Sequence, residues 1–307
     1  MDRVLVTGGA GFIGSHLVRR LVDMGYEVKV LDDLSTGSRR NLSRLENKIE
    51  FIHGDVRSYD IVERAVKDVD TVVHLAGKTS VDESIREPRL YHSVNVLGTV
   101  NLLEACVKEG VKYFIYTSTC AVYGEPEKLP VSEDAPVNPI SPYAASKLAA
   151  EAYCKAYSAS YGLETLILRL FNVYGPKLYG NHSDVVSKFI SRVARDEPPI
   201  IYGDGEQTRD FIYISDVIEY MIRALSKRLS GDVLNIGLGE AVSINGLANL
   251  IVNMMGKHHL KPLYGDSKPG DIRNMVANTS RVSALLDYKP RVKLEDGLKM
   301  TIGSMKF

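Results

Sequence analysis

The chain is poor in cysteine, carries no net charge and has no long apolar run, and each lack excludes something. Its three cysteines, Cys106, Cys120 and Cys154, show no Cys-x-x-Cys spacing. A sparse, odd set predicts reduced, inert thiols in a cytoplasmic setting, and no metal site is read from it. Lys plus Arg and Asp plus Glu both total 38. That balance offers no bulk charge for nucleic acid or for an anionic membrane. No apolar run approaches the ~20 residues of a membrane span. The chain is expected to open directly on a strand, with no leader peptide read at its start. Internal repeats, low-complexity tracts and polar linkers are absent too. What remains is ordinary globular composition, 45% hydrophobic and 25% charged over 307 residues. That is enough for one large domain or two smaller ones.

The stretch that organises the rest is Ser141 to Lys147. Ser141 is a good helix N-cap, and Pro142 suits the first helical position because it has no N–H to leave unpaired. Tyr143 and Lys147 then share one helix face. A nearby ammonium favours phenolate, so the tyrosine is expected to titrate below its usual ~10. A phenolate can take a proton from a sugar or alcohol hydroxyl. The same spacing also arises on solvated helices. Catalysis therefore requires, in addition, a hydride acceptor, a partner hydroxyl and a substrate site.

The first third supplies the acceptor's site. Arg3 to Val6 is a short apolar strand that runs into a glycine-rich turn, Thr7 to Gly14. A helix follows with Phe12, Leu17, Leu21 and Val22 on one side; Gly25 ends it, and Tyr26 to Leu31 is the next strand. Strand, glycine turn, helix, strand is the setting of a dinucleotide fingerprint. Gly8 and Gly11 let the backbone approach a pyrophosphate, and Gly14 lets helix and strand pack closely. The helix start at Phe12 and Ile13 offers free N–H groups and a positive dipole end. Asp32 closes the second strand, 18 residues after Gly14. A carboxylate there accepts hydrogen bonds from an adenosine ribose and repels a 2′-phosphate, so NAD is predicted over NADP. Asp33 adds to the repulsion. Arg39 and Arg40 are the nearby cations able to hold a phosphate instead, but the strand-end carboxylate has the more fixed position.

Ile49 to Ile52 is a third strand, leading to Gly54, Asp55 and Val56, which either meet the adenine or simply turn the chain. Ile61, Val62, Ala65 and Val66 stripe a helix. Thr71 to Leu75 is a fourth strand. Strand C-termini line the ligand crevice of a parallel sheet, so Leu75, Ala76, Gly77 and Lys78 should approach the cofactor. His74 precedes the strand end and reads as a packed residue. A helix from about Val94 to Lys108 opens on Asn95, a polar residue on an apolar face that must find partners. Tyr113 to Tyr116 is a fifth strand, followed by Thr117, Ser118 and Thr119. Three hydroxyls are more than a strand cap needs, and one of them can bridge a substrate oxygen and Tyr143.

Further pieces complete a pattern: Asn172 within Arg-Leu-Phe-Asn-Val-Tyr-Gly-Pro at 169–176, Arg209 opening Arg-Asp-Phe-Ile-Tyr-Ile-Ser-Asp-Val at 209–217, and Pro-Gly-Asp-Ile-Arg at 269–273. With the turn at 7–14, Asp32, Gly-Asp-Val at 54–56, His-Leu-Ala-Gly at 74–77, Asn95, 117–124 and 143–147, this set resembles the extended short-chain dehydrogenase/reductases. The branch is that of the nucleotide-sugar epimerases and dehydratases, and the chain is most similar to UDP-glucose/UDP-galactose 4-epimerases. The resemblance implies NAD as cofactor and a UDP-sugar as substrate. It makes Tyr143 the base, Lys147 the residue that lowers its pKa and holds the nicotinamide ribose, and Thr119 the third catalytic hydroxyl, with Ser118 supporting. It makes Asn95 an active-site asparagine, puts Asn172 and Arg209 on the UDP phosphates, and puts Asp271 and Arg273 on the uridine or its ribose. A homodimer through helices near 95–108 and 146–160 is implied as well. Lys78 departs from the pattern, where many relatives carry glutamine; it either meets pyrophosphate or helps lower the base's pKa. Lys268 stands near where such epimerases often place another cation, and Met275 resembles a position that gates bulk near the sugar.

Thr165 to Leu170 is a sixth strand, 183–195 reads as a helix, and Pro198 to Tyr202 as a short strand. Ser215 or Asp216 is expected to cap the next helix, with Glu219 completing a capping box. Asp232 to Ile236 is the last strand, and Ser243 caps a helix striped by Leu247, Leu250, Ile251 and Met254. A closing helix is read over 294–307, short for such proteins. The expected fold is α/β, a Rossmann-type doubly wound parallel sheet with a smaller C-terminal substrate-binding lobe. Residues 1–174 and 209–238 are assigned to the NAD-binding domain, and 175–208 and 239–307 to the nucleotide-sugar lobe. The expected activity is inversion at C4 of UDP-glucose or UDP-galactose through a transient 4-keto sugar. Alternatives are epimerisation of UDP-N-acetylglucosamine or UDP-glucuronate, a dehydratase, decarboxylase or reductase, and a non-catalytic NAD sensor. Related 4,6-dehydratases place an Asp-Glu pair after the threonine, and the same places here hold Cys120 and Ala121. Neither thiol nor methyl replaces a carboxylic acid well.

Overall fold

The computed structural model describes residues 2–176, 179 and 184–305. Strands and helices alternate from the start: β1 (Arg3–Thr7), α1 (Phe12–Asp23), β2 (Glu27–Asp32), β3 (Ile49–His53), α2 (Tyr59–Val66) and β4 (Thr71–His74). Then come α3 (Val81–Arg86), α4 (Pro88–Tyr91), α5 (Gly98–Glu109), β5 (Tyr113–Thr119), α6 (Pro142–Tyr161) and β6 (Glu164–Leu170). The remainder holds β7 (Asn172–Tyr174), α7 (Val185–Ala194), β8 (Ile200–Tyr202), β9 (Thr208–Arg209), β10 (Phe211–Tyr213), α8 (Ile214–Lys227) and β11 (Val233–Ile236). It closes with β12 (Val242–Ser243), α9 (Ile244–Met254), β13 (Leu263–Gly265), α10 (Ser280–Leu286) and α11 (Leu294–Ser304).

Seven strands form one sheet in the order β11-β6-β5-β4-β1-β2-β3, parallel throughout. The chain builds outward from β1 to β3, then returns to lay β4 on the other side of β1. Connections leaving β1 and β4 in opposite directions open a crevice at their C-terminal ends. Both sheet faces are covered, which is why the strands read as near-continuous apolar runs. Val4, Val6, Ile115 and Leu168 pack on Leu17, Leu21, Val217 and Met221 of α1 and α8. Their neighbours Leu5, Phe114 and Ile167 point the other way, onto Val62, Leu102, Ala150 and Cys154 of α2, α5 and α6. The first cluster runs without a break into α7, α9 and α11 through Phe189, Ile190, Leu247, Ile251 and Leu298. No helix among the described residues is long and apolar enough to cross a membrane.

Four local expectations change. The fifth strand extends to Thr119, so Thr117 to Thr119 lie inside it, paired with Leu168 to Leu170 of β6; β-branched threonine suits a strand. The helix around Asn95 starts earlier, at Pro88, and passes through a π-turn over His92–Leu97 before α5 begins. Asp184 caps α7 by accepting the Ser187 N–H at 3.0 Å, and the expected start at 183 lies outside the described residues. Neither Ser215 nor Asp216 caps α8. Asp216 is buried and accepts the Tyr288 hydroxyl at 2.5 Å and the N–H groups of Arg291 and Val292 at 3.1 Å each. Those tertiary partners satisfy the carboxylate more fully than a cap would. Ser243 does cap α9, accepting the Gly246 N–H at 3.0 Å.

Candidate active site

A cleft of about 930 Å³ runs along the C-terminal edge of the sheet. Every residue assigned from the sequence to catalysis, cofactor or substrate lines it except Asn95 and Arg273. Its cofactor half is built around the turn after β1. Gly8 has φ of +67°, and a Cβ there would lie 2.7 Å from the Ala76 nitrogen. A Cβ at Gly14 would lie 2.2 Å from the Gly8 carbonyl oxygen. A side chain at either position would fill the space that brings the turn, β4 and α1 together. Asp32 is buried at the end of β2, where its Oδ2 accepts the Ala10 N–H at 2.9 Å and Oδ1 the Leu34 N–H at 2.8 Å. Burial pushes its pKa up, with the two N–H groups opposing. Each oxygen retains a second lone pair for a ribose hydroxyl. Arg39 instead stacks over Phe51 at 5.0 Å and Arg40 over Tyr179 at 5.6 Å, and neither lines the cleft. Asp55 is engaged by Arg57 at 2.9 Å, which holds its carboxyl below the usual range. A glycine cradle, a helix start and a buried ribose acceptor together fit a dinucleotide. Among the described residues no cluster of three His, Cys, Asp or Glu could hold a metal.

Tyr143 sits in the first turn of α6, whose N-cap Ser141 accepts the Ala144 N–H at 3.2 Å. Its ring meets Tyr91 edge-on at 6.3 Å, and the nearby Thr119 hydroxyl favours its ionised form. The expected fall in its pKa does not appear. Burial pushes Tyr143 up to about 12, the Thr119 hydroxyl only partly opposing. Lys147 is buried with its Nζ 4.4 Å from the Tyr116 ring centre. Burial pushes it down to about 8, against the pull of Glu151.

Asn95 stands behind the cleft as a bracket. Its Oδ1 accepts the Lys78 N–H at 2.8 Å, and its Nδ2 donates to the Lys78 carbonyl at 3.0 Å and to Ser146 Oγ at 2.9 Å. Ser146 in turn donates to the Tyr143 carbonyl at 2.7 Å, so the turn after β4 is tied to the start of α6. His74 is a packed residue, as its position suggests. The Thr99 hydroxyl donates to the Asn95 carbonyl at 2.6 Å. It must therefore accept from His74 Nε2, 3.0 Å away, leaving Nδ1 to accept the Thr7 hydroxyl at 2.7 Å. Burial and the Lys147 charge push this imidazole down to about 3, so it stays neutral.

At the far end, Arg209 donates to the Thr208 carbonyl at 2.8 Å and pairs with Asp271. Arg273 turns away: its guanidinium binds Asp204 at 2.6 Å on the exposed side and its N–H donates to Glu125. The exposed Asp204 carboxylate supplies the counter-charge for that cation. Lys268 is likewise engaged, by Asp82 at 2.5 Å, and Lys78 lies 3.8 Å from Glu83. Met275 is buried at the cleft floor. Sequence inspection missed Glu151 and Arg169, a buried ion pair at 2.7 Å that receives the Ser118 hydroxyl. The signals were present: a carboxylate one turn beyond Lys147, and an arginine inside an apolar strand.

The NAD dependent epimerase/dehydratase family matches residues 4–237 of this chain. The UDP-glucose 4-epimerase of Mycolicibacterium smegmatis is 37% identical over 305 residues, covering 98% of this chain and 97% of the relative. Among solved structures, the UDP-glucose 4-epimerase of Thermotoga maritima with UDP-glucose is similar at TM-score 0.94 and 37% identity, over 98% of both chains. The UDP-N-acetylglucosamine 4-epimerase of Methanobrevibacter ruminantium, in complex with UDP-N-acetylmuramic acid, is similar at TM-score 0.92 and 38% identity, over 99% of this chain and 97% of that one. NAD is accordingly the cofactor for which the glycine turn and Asp32 are built. A match that runs from β1 through β11 shows that the chain belongs to the NAD dependent epimerase/dehydratase family.

Proposed function

We propose that the protein is a UDP-sugar 4-epimerase that interconverts UDP-glucose and UDP-galactose. One observation carries the choice among the family's reactions. Beside Thr119 and Tyr143 the chain places Cys120 and Ala121, and burial pushes the Cys120 thiol up to about 12. A thiol that weak, next to a methyl, offers no acid and no base for elimination across C5 and C6. Proton exchange at the 4-hydroxyl is the chemistry these residues support.

NAD, held by the glycine turn and Asp32, would supply a hydride acceptor for C4 and would add a positive charge to the cleft. That charge, with the Lys147 ammonium, opposes the burial that holds Tyr143 protonated. Tyr143 then takes the 4-hydroxyl proton, with the Thr119 hydroxyl bridging to the sugar oxygen. Arg209 and Asn172 hold the diphosphate, Arg209 through paired donors. Anchoring at UDP would leave the 4-keto sugar free to turn, so that the hydride returns to the other face of C4 as Tyr143 returns the proton to O4. In this scheme 1–174 and 209–238 form the NAD domain, and 175–208 with 239–307 form the lobe that holds the nucleotide sugar.

The test gives the purified protein UDP-galactose without added cofactor and follows products by proton NMR. UDP-glucose should accumulate to equilibrium. A 6-deoxy-4-keto product, or no product from any UDP-hexose with or without NAD, overturns the proposal. The panel includes UDP-N-acetylglucosamine, because Met275 is an adaptable side chain at the cleft floor.

A further inference from the structure

Tyr143, Lys147 and Glu151 stand at successive intervals of four along α6. Glu151 is 1% exposed. Its Oε2 accepts Arg169 Nη2 at 2.7 Å, and its Oε1 accepts Arg169 Nε at 3.0 Å together with the Ser118 hydroxyl. Ser118 and Arg169 are direct register partners on β5 and β6. One carboxylate therefore clamps two neighbouring strand ends to the helix, one residue from Thr119. Arg169 is itself held in place. Its guanidinium lies over the Tyr123 ring at 4.7 Å, and the Tyr123 hydroxyl donates at 2.7 Å to Asn235, the register partner of Arg169 on β11.

Packing alone does not call for such a pair. Apolar side chains of similar volume usually hold a helix on a sheet as well as a buried ion pair does, or better. The pair's location next to the reacting hydroxyls points to the site. Among the described residues the groups facing Lys147 are the Tyr116 ring from β5, the neutral His74 from β4, Asn95 and Gly77 across the turn, and Cys154 and Glu151 on its own helix. Burial keeps the Cys154 thiol protonated. Glu151 is thus the anion among them, and Arg169 the cation beyond it.

We propose that Glu151 is the positioning residue of this site. Through Ser118 it sets the strand end that carries Thr119 against Tyr143, and its charge one turn from Lys147 keeps that buried amine protonated. The proposal rests on Tyr143, Thr119 and Lys147 being the reacting group.

The test follows Lys147 directly. Protein labelled with ¹³C at the lysine ε-carbon is titrated as purified, and the Lys147 signal is the one lost in Lys147→Arg. In Glu151→Gln the Lys147 midpoint should fall by about one pH unit. Glutamine keeps an oxygen for Ser118, so a purely structural Glu151 would leave the midpoint where it was. Should Glu151→Gln fail to fold because Arg169 is left buried and unpaired, Glu151→Gln/Arg169→Met removes both charges, and its midpoint should fall in the same direction but by less, because the Arg169 repulsion goes with the Glu151 attraction. Ser118→Ala should keep the wild-type midpoint while lowering kcat about tenfold at unchanged KM. An unshifted midpoint in the folded Glu151 variant overturns the charge role, and wild-type kcat in Ser118→Ala overturns the positioning role. The titration uses no substrate. A wild-type protein that epimerises no UDP-sugar would sink the proposed function and leave this measurement intact.

Discussion

Replacing Tyr143 with phenylalanine removes one oxygen from the cleft and little else. The ring keeps its edge contact with Tyr91 at 6.3 Å, and the helix keeps its Ser141 cap. Thr119 still accepts the Ala121 N–H at 3.2 Å, so no buried acceptor is orphaned. One lost hydrogen bond costs about 0.5–1.5 kcal/mol of stability. Losing the general base costs about 10²- to 10⁴-fold in rate, which is about 2.7–5.4 kcal/mol in the barrier. The effect on turnover therefore exceeds the effect on folding severalfold, and the two can be separated in one sample. UDP-galactose conversion is read by proton NMR, UDP affinity by calorimetry and stability by thermal melting. Turnover should fall at least about a hundredfold, with UDP affinity unchanged and Tm within a few degrees of wild type. Residual turnover of more than a few per cent would place the base elsewhere and refute the assignment.

Protein denatured after purification should release NAD, identified by mass spectrometry, and Gly14→Ala should not retain it, because the new Cβ meets the Gly8 carbonyl at 2.2 Å; released NADP, or NAD retained by the variant, would contradict the cradle. Arg209→Ala should raise KM for the UDP-sugar about 10- to 100-fold, the weight of hydrogen bonds to a charged group. Arg273→Ala should leave KM near wild type, since that guanidinium is engaged by Asp204; equal losses in the two variants would show that Arg273 swings inward on binding. At pH 8 iodoacetamide should leave Cys120 unlabelled in the native protein and label it after denaturation, because a thiol near 12 is about one part in 10⁴ thiolate there; rapid native labelling would show a thiol more acidic than its burial allows.

Much of the cleft was legible because its chemistry is local. The glycine turn, Asp32 and the Tyr143–Lys147 spacing each sit within a few residues of one another, where backbone geometry and side-chain period leave few options. Asp216 shows the opposite case. A capping box was the best local account of it, yet Tyr288, Arg291 and Val292, more than 70 positions away, hold its carboxylate. Arg273 sits in the expected motif, but Asp204 and Glu125 decide where it points.

By itself, the sequence determined the strand order's raw material, the preference for NAD and which side chains can carry a proton. Only the tertiary structure decided their state. Tyr143 is pushed up to about 12 and Lys147 down to about 8 because α6 buries both. Glu151 meets Ser118 and Arg169 because the sheet lays β5 beside β6 beneath that helix. Charge in a protein depends on how much water is excluded and on which partners the fold brings near. Neither quantity is written in the spacing of residues along the chain.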